Sequence, residues 1–363
     1  MNHDLAFQNL LSYGMKRFFK VLGVLILLLA LFAFYIVYSS GFFRSIDPYF
    51  DGEILTKISI PGAEDMQADH EAGFIIISSD DRASRRDGRS RQGHLYKMRL
   101  DSLSEAPIRL TTDFKKPFYP HGISMIRTSD STHRVFAINH VKGDHFIEVF
   151  DLHGDALMHM ETLSDPSMIS PNDIVALGPN EFYFTNDHKH TEGTMRLAED
   201  YLGLRLSNVV YFDGNGYQEV DKGIAYANGI NFDTERNLLF VASPRDFLVK
   251  VYQRKPGGSL DFIENVDCGT GVDNIEFDGD GRLWIGSHPS LLHFSSYAAG
   301  KRAKSPSEIV VIDYRGESDY EVSSVYLEDG SEMSAATVAV PVNNNHIFLG
   351  NVMDEHFLIL RQN

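Results

Sequence analysis

Cysteine is nearly missing from this chain, which has one in 363 residues. Cys268 therefore has no partner for an internal disulfide, and a structural zinc site of the cysteine-rich kind is excluded. A core of this size does not need disulfides, so their lack leaves the compartment open. No motif that would serve a catalytic cysteine accompanies it, and Cys268 reads as a loop or core residue. Positive charge is also scarce. The 33 Lys and Arg face 50 Asp and Glu for a formal net charge of −17, which argues against a nucleic-acid partner. No linker splits the body of the chain, so one domain is the economical count.

Charge of either sign is absent from Val21 to Tyr38, and the uncharged run continues through Gly41-Phe42-Phe43 to Arg44. About 18–23 residues at a rise of about 1.5 Å cross a hydrocarbon core of about 30 Å. Lys16, Arg17 and Lys20 precede the run, so the positive-inside rule leaves the N-terminus in the cytoplasm. The apolar run is long for a signal peptide, and Tyr38-Ser39-Ser40-Gly41 is a poor cleavage site. The expectation is a cytoplasmic segment over 1–20, an uncleaved transmembrane anchor over 21–43, and a domain over 44–363 on the extracytoplasmic side.

What the chain does have is a recurring phrase. Asn172-Asp173 stands before the apolar run Ile174-Val175-Ala176-Leu177, with Gly178-Pro179 as a turn behind it. Asn and Asp are poor strand residues and good turn residues, so a single pair reads as an Asx-turn launching a strand. The phrase returns at Glu64-Asp65-Met66, His121-Gly122-Ile123-Ser124, Asn228-Gly229-Ile230-Asn231 and Asp273-Asn274-Ile275-Glu276. It returns once more, without the acidic or amide pair, at Ser334-Ala335-Ala336-Thr337-Val338. The spacing of roughly 45–57 residues is that of a repeat architecture.

Each phrase is followed by further short strands, among them Val135 to His140, Glu181 to His188 and Leu283 to Pro289 as second strands. Third strands are read at His94 to Leu100, Phe146 to Leu152, Asn208 to Phe212, Phe247 to Gln253, Leu291 to Tyr297 and His356 to Leu360. Fourth strands are read at Ile108 to Thr112, Leu157 to Leu163, Gln218 to Gly223 and Leu260 to Val266, with Ile309 to Tyr314 and Ser323 to Leu327 as candidates in the fifth unit. Four short strands per unit, six times over, predict an all-β six-bladed propeller behind one transmembrane helix. The last unit reaches only three strands, so Ile54 to Ile60 is expected to complete it and close the ring. Two stretches fall outside this scheme. Arg82 to Arg91, with five arginines, reads as a solvated loop, with anionic headgroups as the alternative contact. Glu192 to Leu206 reads as a short amphipathic helix walling a pocket on one face.

If first strands line the channel, Glu64, Asp65, Asn172, Asp173, Asn228, Asp273 and Asn274 converge at one of its ends. Such a set cannot sit together desolvated without cations, and calcium takes six to eight oxygens in irregular geometry. His121 and His140 are placed by a hairpin at the same end of one blade and suit proton transfer near neutral pH. His188 and His288 are weaker candidates for the same layer.

The chain resembles the paraoxonase family of calcium-dependent lactonases and arylesterases. The resemblance rests on Pro120-His121-Gly122-Ile123-Ser124, Asn172 through Pro179, Phe182 through His188, Tyr201-Leu202-Gly203-Leu204, Ala227-Asn228-Gly229-Ile230-Asn231, Val272-Asp273-Asn274-Ile275 and Gly286-Ser287-His288-Pro289, in family order. It implies a catalytic calcium on Glu64, Asn172, Asn228, Asp273 and Asn274, and a structural calcium on Asp65, Asp173 and the carbonyl of Ile123. It also implies a His121–His140 dyad, with Asp273 as an alternative base or nucleophile, and a membrane-facing wall at Tyr201-Leu202-Gly203-Leu204. The expected partners are a small lipophilic lactone or ester and membrane lipid, and the oligomeric state is left open. Two departures stand out: the family's N- to C-terminal disulfide is lacking, and the Arg82 to Arg91 loop does not match the family's active-site loop. Alternative readings are a non-hydrolytic strictosidine synthase-like propeller or binding scaffold, which lacks the full ligand set, and a one-metal gluconolactonase-type hydrolase, which Asp65 and Asp173 disfavour.

Overall fold

The computed structural model describes residues 2–89, 91–342 and 345–363, with side chains for Tyr13 and from residue 15 onward. Six antiparallel sheets follow one another around a ring. From the inside outward, blade one is Ala63–Asp69, Phe74–Ser79, His94–Arg99 and Ile108–Arg109. Blade two is Pro120–Ser129, Thr132–Val141, Asp144–His153 and Ala156–Leu163, and blade three is Pro171–Gly178, Glu181–Asn186, Ser207–Phe212 and Tyr217–Ile224. Blade four is Ile230–Asp233, Leu238–Ser243, Leu248–Arg254 and Leu260–Asp267, and blade five is Gly271–Phe277, Leu283–His288, Ser307–Gly316 and Asp319–Glu328. Blade six takes Ala336–Val342, His346–Asn351 and Phe357–Gln362 from the end of the chain and Gly52–Ile58 from near its start.

This closing strand was the expectation for Ile54 to Ile60, and it pairs antiparallel from Gly52 opposite Gln362 to Ile58 opposite Phe357. The residues Tyr49–Phe50 add a short fifth strand to the outer edge of blade five. The second strands Phe74–Ser79, Leu238–Ser243 and Leu283–His288 are wholly buried, because both faces of each blade meet a neighbour. The core accordingly lies between blades. One cluster joins Phe240 and Val251 of blade four to Ile285 and Val310 of blade five. Another joins Met66 and Ile77 of blade one to Phe348 and Ile359 of blade six, so apolar packing closes the ring together with the strand.

Two sequence expectations fail. Leu291 to Tyr297 is a helix (Leu291–Ala298), and the third and fourth strands of blade five are Ser307–Gly316 and Asp319–Glu328. The stretch is apolar at both periods, but Leu291, Phe294 and Ala298 stack on one helical face and line a pocket. Arg82 to Arg91 is not simply a solvated loop. Asp81 Oδ1 accepts the amide of Ser84 at 2.9 Å, capping a helical turn over Arg82–Arg86, and the side chain of Arg82 is 12% exposed. The expected amphipathic helix is present as Gly193–Leu202, ended by left-handed Gly203.

The apolar N-terminal helix runs from Asn2 to Ser39 and is long and apolar enough to cross a membrane over Met15–Ser39, so it begins well before the predicted Val21. Its end is docked rather than free. Ser40 is buried and its carbonyl accepts the amide of Leu291 at 2.9 Å, and Arg44 makes a two-pronged ion pair with buried Glu308 at 2.6 and 2.7 Å.

Candidate functional site

The innermost strands explain the recurring phrase. Their pairing slips where the polar residues sit: between Pro171 and Ile174, Ala63 and Asp65, Pro120 and Ile123, Val272 and Ile275, and Ala336 and Ala339. A bulge frees consecutive side chains from strict alternation, so two neighbours can serve two different spaces. Gly122 and Gly229 allow the next blade to come close: a Cβ on Gly122 would stand 2.6 Å from the carbonyl oxygen of Asn172, and one on Gly229 2.3 Å from that of Asp273.

The polar residues consequently divide between two levels, which corrects the expectation that all seven meet at one end. The upper level floors a cavity of about 460 Å³ whose lining includes Glu64, His121, Asn172, Asn228 and Asp273. Asn274 joins the group through Nδ2, 3.1 Å from the carbonyl of Glu64 and 3.4 Å from Glu64 Oε1. Each of five buried side chains has one oxygen without a hydrogen-bond partner among the described residues: Glu64 Oε2, Asn172 Oδ1, Asn228 Oδ1, Asp273 Oδ1 and Asn274 Oδ1. Leaving a buried acceptor unmet costs about 1–3 kcal/mol. Five together, with no donor, fit a hard cation that takes amide and carboxylate oxygens. Among the described residues no group of three or more His, Cys, Asp and Glu could hold a metal ion, so the donor set here is led by asparagine.

The lower level is a narrow space bounded by Asp65, Asp173, Ile123, Gln67, Asn231 and Glu276 among others. Here the aspartates are satisfied. Asp65 accepts the amides of Met66 and Ile123 at 2.8 and 2.7 Å, and Asp173 those of Ile174 and Ile230 at 2.8 and 2.7 Å. Each carboxylate thus ties its own blade to the next. Burial, and then the nearby charge of Glu64, pushes Asp65 up to about 8, while burial and the charge of Asp65 raise Asp173 well above the carboxylate range. Asp273 is also raised by burial. Glu64 resists the same burial because the charges of His121 and Arg82 hold it at about 2. A cation or protons must therefore offset part of this buried negative charge.

The predicted histidine pair is in contact, with His121 Nδ1 2.8 Å from His140 Nε2. Sequence reading missed a third member. His145 stands opposite His140 across the Lys142-Gly143 turn, and their Nδ1 atoms are 2.7 Å apart. Both turn residues have positive φ, a hairpin signal that would have placed His145. At the pocket end, His121 Nε2 lies 3.2 Å from Glu64 Oε1. Burial, followed by the charge of His121, holds His140 well below the usual imidazole range.

The two weaker histidine candidates are part of the site's frame. His288 Nε2 lies 2.8 Å from Asp273 Oδ2, which fixes the carboxylate and leaves Oδ1 as the unmet atom. His188 lies between Asp187 Oδ1 at 2.7 Å and Asp200 Oδ1 at 2.9 Å. Burial opposes its charge, yet these two carboxylates outweigh it and push His188 up to about 9. Asp187 also accepts Asn172 Nδ2 at 3.3 Å, so the wall helix Gly193–Leu202 is linked through Asp200, His188 and Asp187 to the cavity floor.

The rim holds three arginines. Arg245, 8% exposed, donates to the carbonyls of Asp200 and Tyr201 at 3.1 and 2.9 Å and to the carbonyl and hydroxyl of Ser39 at 3.1 and 2.9 Å. It closes the C-terminal ends of the wall helix and of the apolar N-terminal helix together. Arg196 is held by Asp200 at 3.2 Å, and Arg82 enters from blade one. Leu291, Phe294, Ala298 and Met353 supply the apolar side.

The arylesterase family model matches residues 55–358, nearly the whole propeller. The chain belongs to the arylesterase, or paraoxonase, family. It is 32% identical to serum paraoxonase/arylesterase 1 of Mus musculus over 270 residues, which are 72% of this chain and 75% of that protein. Against the Homo sapiens protein of the same name the identity is 32% over 238 residues, 65% of this chain and 66% of that one. Among solved structures, a luciferin-regenerating enzyme covers 87% of this chain and 95% of its own with a TM-score of 0.54 and 12% identity, a likeness of fold alone. Family membership makes the chain a hydrolase of the paraoxonase type, of the esterase and lactonase kind. Within that family the polar floor, the histidine row and the cavity above them form the candidate active site.

Proposed function

We propose that this protein is a membrane-anchored, calcium-dependent hydrolase of lactones and aryl esters. The observation that carries the reading is the set of five unmet oxygens on Glu64, Asn172, Asn228, Asp273 and Asn274 beneath an open cavity. These residues would hold the catalytic ion, and Asp65, Asp173 and the carbonyl of Ile123 a structural one. When bound, the catalytic ion supplies Lewis-acid polarisation of the substrate carbonyl. His121 faces the cavity and accepts the proton of the attacking water. Its Nδ1 passes a proton to His140, and His140 passes one to His145, which lies toward the surface. The water oxygen bonds to the carbonyl carbon, the carbon–alkoxide bond breaks, and the leaving oxygen takes up a proton. His288 keeps Asp273 oriented, and His188 keeps the wall helix over the site.

In this reading residues 1–20 lie in the cytoplasm and the propeller on the other side; the apolar helix and the Lys16, Arg17 and Lys20 before its uncharged run support it. The docking of its end beside the wall helix, which exposes Met195, Leu197 and Tyr201, supports a pocket that opens toward lipid, where lipophilic substrates concentrate. The test is hydrolysis of γ- and δ-lactones and phenyl acetate by the full-length protein in detergent, with calcium and after chelation. Turnover that vanishes on chelation and returns with calcium is expected. A folded, calcium-loaded protein that turns over no member of the panel would mean a binding scaffold instead.

A further inference from the structure

Arg82 stands apart from the other cations of the pocket. Its guanidinium is 12% exposed, and its carboxylate neighbours, Glu64 Oε2 and Asp80 Oδ2, are each 3.7 Å away, beyond hydrogen-bond reach. Among the described residues no other oxygen bonds it. Its neighbours are already committed: Asp80 to Arg85 at 2.6 Å, Arg196 to Asp200 at 3.2 Å, and Arg245 to four oxygens. Glu64 is engaged by His121 at 3.2 Å and belongs to the cation-holding set. Its charge faces these two carboxylates at 3.7 Å, but its fork of donors has no hydrogen-bond partner among the described residues, and leaving buried donors unmet is costly.

We infer that Arg82 is an anion-recognition residue, and that the pocket takes lipophilic lactones or esters carrying a carboxylate close to the scissile carbonyl. The carboxylate is the planar acceptor that a guanidinium fork binds through two parallel bonds of roughly 2.8 Å. The reach is set by the 3.7 Å between Arg82 Nη2 and Glu64 Oε2. A substrate whose carbonyl lay over the unmet oxygens would therefore meet Arg82 through a group only a few bonds away. The remainder of the substrate lies against Leu291, Phe294 and Met353. This inference rests on the hydrolase reading and adds the substrate class to it.

The test uses the full-length protein in detergent with calcium and two matched γ-lactones. One carries a carboxylate on the ring carbon beside the ring oxygen, and the other the neutral N-methyl carboxamide at the same place. Wild type, Arg82→Gln and Arg82→Lys are compared, with thermal melting to verify folding. Wild type is expected to favour the carboxylate by at least about ten-fold in kcat/KM, carried mainly by KM. Arg82→Gln abolishes the preference, and Arg82→Lys keeps part of it; a general loss of activity cancels in the ratio. Equal handling of the two lactones by wild type, or an unchanged ratio in Arg82→Gln, overturns the inference while leaving hydrolysis intact. If neither lactone turns over, calorimetry with cyclopentanecarboxylate and its amide decides. Tighter binding of the acid that is lost in Arg82→Gln upholds the anion site although the hydrolase reading has failed, and no difference overturns both.

Discussion

The two polar levels of the channel use the same residue types to opposite ends. In the upper level every residue of the set keeps one oxygen unmet beneath a cavity open to small molecules. In the lower level both aspartates spend both oxygens on backbone amides, one of them in the next blade. Consecutive residues of one phrase, Asn172 and Asp173, fall on different levels. What separates the open floor from the level that staples blades is therefore the hydrogen-bond state of the oxygen, set by the bulge, rather than the identity of the residue.

Substitutions on the two levels should break differently. Asn172→Ala removes an unmet oxygen and is expected to lower kcat/KM on a good lactone by about 100-fold or more, roughly 2.7 kcal/mol of transition-state stabilisation, with little change in melting temperature. Asp173→Ala orphans the amides of Ile174 and Ile230 and is expected to cost about 2–4 kcal/mol of stability in urea unfolding. An Asp173→Ala protein that keeps its stability yet loses activity would erase the distinction.

A third comparison concerns pH. With no ion bound, Asp65 has a folded pKa of about 8 against an ordinary value of 3.8. Between those values the folded state binds the extra proton, so this contribution is full below pH 4 and is lost as pH rises toward 8. Melting temperature is expected to fall over that window after chelation, and calcium to flatten the slope. A slope that calcium leaves unchanged would detach Asp65 from any ion. The smallest expected effect is that of His145→Gln, a kcat reduction of about 3–10-fold that added imidazole partly restores. A loss of the same size that imidazole does not restore would make His145 a structural neighbour of His140 only.

The six blades and the closing strand were legible because the phrase recurs and short strands alternate around it, a signal repeated often enough to survive local ambiguity. The residues of the cavity floor were legible for the same reason. Their division into two levels was not, because a bulge overrides the alternation from which side-chain direction is read. Leu291 to Tyr297 was mistaken for a strand because its apolar residues satisfy both periods, and only the pocket it lines chooses between them. Arg82 was hidden by its company. Five arginines in a short stretch have the composition of a wet loop, and nothing local to the chain tells that one of them turns inward beside Glu64 and Asp80 to line the pocket.

Arg245 has a mechanical consequence. One guanidinium holds the last residue of the apolar N-terminal helix and the end of the pocket-wall helix in a single clasp, with Ser40 and Arg44 fastened alongside. The helix is then joined to the propeller as a strut rather than as a leash. Were the helix to cross a bilayer, its docked last residue would hold the cavity mouth close to the lipid surface, and a lateral load on the helix would be delivered first to the wall of the cavity.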